Sequence, residues 1–393
     1  MRIVWVSVAA LVIGAGAPGA AFFGASSSAE AQGTAASAPA SSAPAGSAAQ
    51  NAPTNPQSPA LVQRPASSPD AKPPTAPGEG RIRIDVLVTD KAGNPVKGLE
   101  QKDFTLLDNN QQAKILTFHA YDGSAHPGEP AVEAIVLIDT VNMPFSSISF
   151  VRQQLQNFLR QNGGHLAQPT SVFVFTNEKV DAQRVPSLDG NALAEEMEKL
   201  DVHLRTLQRS AGEWGAVERF DLSVRTMEKI AEAESAKPGR KLLIWAGPGW
   251  PLLDTPGIQS TDTGRRQMFA EIVDLSKRLR DARVSVYSIS QGTPGLGTFL
   301  YQDFLKGVKN PDKANAPNLA LKVLAVQSGG RVVGPDNDLA GQIANCARDA
   351  GPYYTLSFDP PKADRANEYH DLKVLVSNST LVVHTRTGYY NEP

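Results

Sequence analysis

The chain has 393 residues, with 38 Lys+Arg against 40 Asp+Glu and a net charge of −2. That balance excludes a polybasic nucleic-acid binder, and a hydrophobic content of 41% excludes a wholly disordered chain. The single cysteine, Cys346, excludes an intramolecular disulfide framework and any multi-cysteine metal centre.

The first residues read as a secretory leader. Arg2 gives a short positive region, Ile3 to Ile13 is almost unbroken apolar sequence, and Ser28-Ala29-Glu30-Ala31-Gln32 offers a small-residue cleavage site after Ala31. Gly14, Gly16, Pro18 and Gly19 interrupt the apolar run, which argues against a spanning helix of about 20 residues. The expectation is a signal peptide over 1–31, export to the periplasm or beyond, and no membrane span after cleavage. Residues 32–80 are rich in Ala, Pro and Ser and lack aromatics, so they cannot bury enough apolar surface to offset chain entropy. They read as a disordered linker.

Residues 81–125 read as strands. Arg81-Ile82-Arg83-Ile84-Asp85-Val86 alternates with period two, Asp90 to Pro95 is a turn, and Phe104–Leu107 and Lys114–Phe118 follow. The pattern changes in 131–350. Ala134–Ile138 is a continuous apolar run, as suits a parallel strand covered on both faces, and Ser171–Phe175, Lys241–Trp245 and Val284–Ile289 read as further strands beside it. Helices are predicted between them from the stripes Ile148/Val151/Leu155/Leu159, Phe220/Val224/Met227/Ile230, Met268/Ile272/Leu275/Leu279 and Leu339/Ile343/Cys346. After 351, Tyr353–Phe358, Leu372–Val376 and Leu381–Arg386 again read as antiparallel strands. The predicted fold class is α/β, a doubly wound, mostly parallel sheet of Rossmann-like type at 131–350. It is inserted into a small β-sandwich-like domain in which 351–393 pairs with 81–125.

Several marks, weakly specific singly, are specific in their order: Val86-Leu87-Val88-Thr89-Asp90, Gly93-Asn94-Pro95-Val96, Gly98-Leu99, Asp103-Phe104, Val136-Leu137-Ile138-Asp139, Tyr353 to Phe358, His370, Val374 and Arg386-Thr387-Gly388-Tyr389-Tyr390. By these the chain resembles the von Willebrand factor A-related proteins of the acidobacterial type, over about 81–390. The resemblance implies a von Willebrand A fold, an extracytoplasmic setting, and adhesion or assembly through a protein partner rather than catalysis.

The resemblance also implies a test. Domains of this type often hold Mg²⁺ or Mn²⁺ through Asp-x-Ser-x-Ser at the end of the first strand, with a Thr and an Asp from two later loops, because hydroxyl and carboxylate oxygens suit a hard ion. Here Asp139-Thr140-Val141-Asn142-Met143 keeps the Asp but sets Val141 and Met143 where the serines belong. Neither side chain offers a hard oxygen. The second loop, Ser210 to Gly215, lacks a Thr, with Ser210 or Glu213 as the substitutes it offers, and the third, Ala246 to Trp250, lacks an Asp, the nearest carboxylate being Asp254. Asp139 is the one candidate ligand of a degenerate site, and no cofactor is expected. The partner-binding rim at the strand ends is expected to carry Asn142, Phe145, Thr176, Trp214, Trp250 and Asp254.

Other signals are weaker. Gly247-Pro248-Gly249 and Gly292 to Gly297 lack phosphate-loop spacing and read as turns. The six histidines form no metal-binding pair, no G-x-S-x-G elbow is present, and Cys346 on an apolar stripe reads as a buried thiol. The sequence thus points to an exported, non-enzymatic binding module. The alternatives are a metal-dependent adhesion domain with substituted ligands, a periplasmic hydrolase with a dispersed triad, and a small-ligand binder.

Overall fold

The computed structural model describes residues 5–9, 80–123, 129–177, 179–183, 185–199, 212–250, 261–290 and 301–393. Along the chain the strands are β1 (Trp5–Ala9), β2 (Ile82–Thr89), β3 (Phe104–Asp108), β4 (Gln111–Ala113), β5 (Thr117–Tyr121) and β6 (Glu133–Asp139). Helix α1 (Phe145–Leu159), β7 (His165–Phe175), β8 (Lys179–Gln183), β9 (Ser187–Asp189), α2 (Gly190–Lys199) and α3 (Gly212–Ser235) come next. Then follow β10 (Lys241–Ala246), α4 (Asp262–Asp281), β11 (Val284–Ile289), α5 (Leu321–Gln327), β12 (Val332–Val333) and α6 (Leu339–Ala347). The chain closes with β13 (Tyr353–Phe358), β14 (Glu368–Val376), β15 (Val382–Thr385) and β16 (Gly388–Asn391).

The large sheet has the order β1-β8-β7-β6-β10-β11-β12, with β9 also on β7. Its centre is parallel: β6 pairs with β7 and β10, β10 with β11, and β11 with β12. All seven residues of β6 are buried, as are all six of β10 and of β11. Register sorts their side chains between two layers. Ile135, Leu137, Leu243, Trp245 and Val286 meet α3, α4 and α5 through Phe220, Val224, Met227, Ile272, Leu275, Leu279, Leu321 and Leu324. Val136, Ile138, Leu242, Ile244, Tyr287 and Ile289 meet α1, α2 and α6 through Val151, Leu155, Leu193, Met197, Ile343 and Cys346. Helices on both faces explain why these strands are buried along their whole length instead of alternating between buried and exposed. Burial pushes the Cys346 thiol up to about 12, so it stays protonated and unreactive.

Residues 176–199 hold elements the apolar pattern does not announce. Strand β8 returns antiparallel to β7, and α2 follows β9. β8 is too short and mixed to show a period, with Lys179 and Asp181 in it. Strand β1 lies antiparallel on β8, Trp5 opposite Gln183 through Ala9 opposite Lys179.

The two ends of the chain build two four-stranded antiparallel sheets, β15-β2-β13-β5 and β16-β14-β3-β4. Strand β2 lies between β13 and β15, and β14 between β3 and β16, so each sheet is built from both early and late strands. Their shared core holds Ile82, Ile84, Val86, Val88, Phe104, Leu106, Leu356, Phe358, Leu372 and Val374. In that lobe Asp108 accepts from Tyr389 Oη at 2.5 Å and lies 2.8 Å from His370 Nδ1, so His370 serves packing there.

A charged seam joins this lobe to the parallel sheet. Arg283 donates to Asp85 through Nη2 at 2.6 Å and Nε at 3.1 Å, and Thr355 Oγ1 donates to the same carboxylate. Asp349 is fully buried, accepting from Tyr287 Oη at 2.9 Å and from Arg331 Nη2 at 2.7 Å, and Arg240 Nη1 donates to its carbonyl. His384 on β15 faces the same seam. Burial first, then the Arg331 and Arg240 charges, hold its imidazole down at about 4 from an ordinary 6.5. The unfolded chain takes up that proton near 6.5 and the folded chain near 4, so this contribution is complete above 6.5 and lost as pH falls through the window. The seam carboxylate Asp349 shifts upward by burial and acts in the opposite sense. His384→Gln is therefore expected to flatten the fall in urea stability between pH 6.5 and 4 by about 1–3 kcal/mol. Parallel pH profiles for the two proteins would contradict this.

Candidate functional site

The site forms where β6 ends. Asp139 is the last residue of β6 and is fully buried. Its Oδ1 accepts from the backbone N–H of Val141 at 3.0 Å and of Asn142 at 2.9 Å. This is the local turn that an aspartate side chain makes with the amides two and three residues on. Thr140 fixes the loop from the other side, donating its N–H and Oγ1 to the Phe175 carbonyl of β7 at 3.1 and 2.6 Å. Val141 and Met143, at the two positions where the resemblance expects serines, are buried in opposite layers of the core. They anchor the loop by packing, and α1 starts directly after Pro144.

The second carboxylate oxygen, Oδ2, accepts from Asn142 Nδ2 and Trp245 Nε1, each at 2.9 Å. Asn142 Nδ2 also reaches Ser223 Oγ on α3 at 2.9 Å, and Ser223 in turn donates to the Arg219 carbonyl at 2.7 Å. Trp245 is fully buried, packed edge-on against Phe175 and Trp250. The register pairs Ile138 with Ala246, which sets Gly247 beside Asp139. A Cβ at Gly247 would stand 2.7 Å from the Asp139 Cβ. This glycine is required for close approach of the β10 backbone, whereas the sequence reads it only as part of a turn.

Burial pushes the Asp139 carboxyl above the usual carboxylate range, and the surrounding N–H donors pull the other way without cancelling it. Each oxygen already serves two donors, and the side chains at the two expected serine positions, Val141 and Met143, are apolar. The residues around Asp139 do not fit a hard cation, which asks for several free oxygens in octahedral order. Among the described residues no three His, Cys, Asp or Glu side chains converge as a metal site. Three buried oxygens of this region, Asn142 Oδ1, Ser288 Oγ and Ser290 Oγ, have no hydrogen-bond partner.

The remaining rim positions are placed as follows. Asn142 is half-buried and belongs to the Asp139 network. Thr176 is half-buried and closes the β7–β8 turn, its Oγ1 donating to the Lys179 carbonyl at 2.8 Å. Trp250 is only 5% exposed and donates Nε1 to the Leu319 carbonyl at 2.8 Å, so its indole packs inward instead of lining a surface. Phe145 opens α1 and Trp214 lies in the first turn of α3, but their side chains lie outside the described residues. Asp254 and the turn Gly292–Gly297 lie outside them altogether. Ser223, Trp245 and Gly247 are the site residues that sequence reading misses. The parity of β10 does carry a signal for Trp245, since Leu137 pairs with Trp245 and Asp139 follows Leu137 on the same face.

No family model matches this chain, and no curated protein matches it. Among solved structures it is similar to the manganese-loaded TRAP protein of Plasmodium vivax, at 11% identity and TM-score 0.32, covering 71% of this chain and 100% of that one. It is also similar to a mutant of the PilB minor pilin of Streptococcus sanguinis, at 10% identity and TM-score 0.31, covering 57% and 62%. A third likeness is to the three N-terminal domains of the type V pili tip protein Mfa5 of Porphyromonas gingivalis, at 8% identity and TM-score 0.22, covering 81% and 67%. Likenesses this distant carry no inference about the activity of this chain.

Proposed function

We propose that this chain is an exported, non-enzymatic protein-binding module of adhesion or assembly type, which presents the loops at the carboxyl ends of β6, β7 and β10 to a protein partner without a resident cation. In this reading 131–350 is a von Willebrand A-like domain inserted into the β lobe built from 81–125 and 351–393. Residues 1–31 are a leader removed on export, which would take β1 away and leave β8 at the edge of the large sheet, and 32–80 are a tether that gives the folded part reach. The observation that carries the reading is topological. The loops at Thr140–Pro144, Thr176–Asn177 and Gly247–Trp250 follow three adjacent parallel strands, so they gather at one end of the sheet, where open α/β sheets present their binding crevice. Exposed Pro144 and Ser146 lie on the same rim.

A second reading, a metal-dependent adhesion domain with substituted ligands, has one observation in its favour: the unpartnered oxygens of Asn142, Ser288 and Ser290. The choice of binding face is tested by placing a photo-cross-linking residue at Ser146 or Asn177, with Gln161 at the far end of α1 as the control position. Cross-links to one protein from the two rim positions and none from Gln161 are expected. Equal capture from Gln161 would overturn the reading.

A further inference from the structure

The Asp139 network reaches further than one loop. Its four donors come from the loop after β6, from the Asn142 side chain and from β10, and Asn142 carries the connection on to Ser223 of α3. Three elements of the rim therefore meet on one buried carboxylate. A divalent ion at this end of the sheet would connect the same elements by drawing ligands from successive loops. Here both carboxylate oxygens already serve N–H donors, the two would-be hydroxyl positions are packed as Val141 and Met143, and the third loop passes Asp139 as bare backbone at Gly247.

We propose that Trp245 and Asn142 take the place of a cation at Asp139. Their N–H groups, with the two loop amides, form a fixed latch that ties the β6 loop to β10 and α3 and holds the rim in one state. The chemistry is coherent, because a charge-assisted N–H···O⁻ bond is among the stronger hydrogen bonds and needs no exchangeable ligand. A fully buried indole donor also sits in surroundings that exclude water. Trp245 and Asn142 are positioning residues in this scheme. They set the loop that a partner meets, and the inference rests on the protein-binding reading above for what the rim does.

The test follows the indole N–H signals of the full chain in a ¹⁵N-labelled sample, with Trp245 assigned by its loss in Trp245→Phe. The expected result is a downfield Trp245 signal that resists solvent exchange and is not broadened by Mn²⁺. Asp139→Asn should move that signal upfield and remove its protection, while the Trp250 signal, whose donor goes to the Leu319 carbonyl, keeps its protection from exchange and reports an intact fold. Saturable broadening by Mn²⁺ that Asp139→Asn abolishes would overturn the latch. So would a Trp245 signal indifferent to Asp139→Asn while Trp250 holds. If Asp139→Asn does not fold, Asn142→Ser removes one donor from Oδ2, and the Trp245 signal should then move further downfield; no movement would count against the latch. No partner enters this experiment, so the two ideas can fail separately. Cation-dependent cross-linking with an undisturbed Trp245 signal would sink the metal-free binding reading alone. A Mn²⁺-broadened indole with cation-independent cross-linking would sink the latch alone.

Discussion

Asp139→Ala is expected to lower the unfolding free energy by about 3–5 kcal/mol, read as a drop in the urea midpoint at unchanged slope. The carboxylate is fully buried and accepts four N–H groups at 2.9–3.0 Å. Alanine removes every acceptor at once. Each buried donor left without a partner costs about 1–3 kcal/mol, and the sum is reduced because the loop can relax. The Asp139 carboxyl stands above the usual carboxylate range in the folded chain. Its own contribution is therefore complete below the unfolded value and lost as pH rises through the folded one. The deficit of Asp139→Ala should accordingly be larger in mild acid than at neutral pH. A loss under about 1 kcal/mol would mean that the donors find other partners, and that Asp139 is a remnant of no structural weight.

Asp349→Ala is the second substitution with a large expected effect, also about 3–5 kcal/mol. Asp349 is fully buried at the seam between the parallel sheet and the β lobe. It neutralises Arg331 and accepts from Tyr287, while Arg240 donates to its backbone carbonyl and lies over the Tyr353 ring. Without the carboxylate, the Arg331 guanidinium loses its counter-charge and the Tyr287 hydroxyl loses its acceptor. Asp349→Asn keeps the shape and an acceptor for Tyr287 but not the charge, so it should fall between wild type and alanine. Equal stability of the asparagine and alanine variants would show that the lost charge, and not the Tyr287 hydrogen bond, decides the effect.

The sheet was legible because burial on two faces writes itself as runs dominated by apolar residues. Ala134–Ile138, Lys241–Trp245 and Val284–Ile289 all lie within buried parallel strands, and the stripe Phe220/Val224/Met227/Ile230 is the core face of α3. The antiparallel ends were legible from alternation in β2. Strands β8 and β9 were not, because strands of three to five residues with charged members have no period to detect. At the site, Asp139 and the replacement of both serines stood out by position. Trp245 did not, because its partner lies 106 residues away and only the register joins them. Trp250 was expected on the rim from loop aromatics, but a T-shaped contact with Trp245 and a bond to the Leu319 carbonyl turn it into the core. A tryptophan after a strand carries both possibilities in its sequence, and the neighbour it meets decides between them.

The most direct test of a metal-free binding rim is the yield of partner cross-linking from Ser146, measured on the full chain in excess EDTA and in excess Mg²⁺. A rim held by hydrogen bonds gives the same yield in both. A yield that appears only with Mg²⁺ would contradict it and return the site to cation-dependent binding.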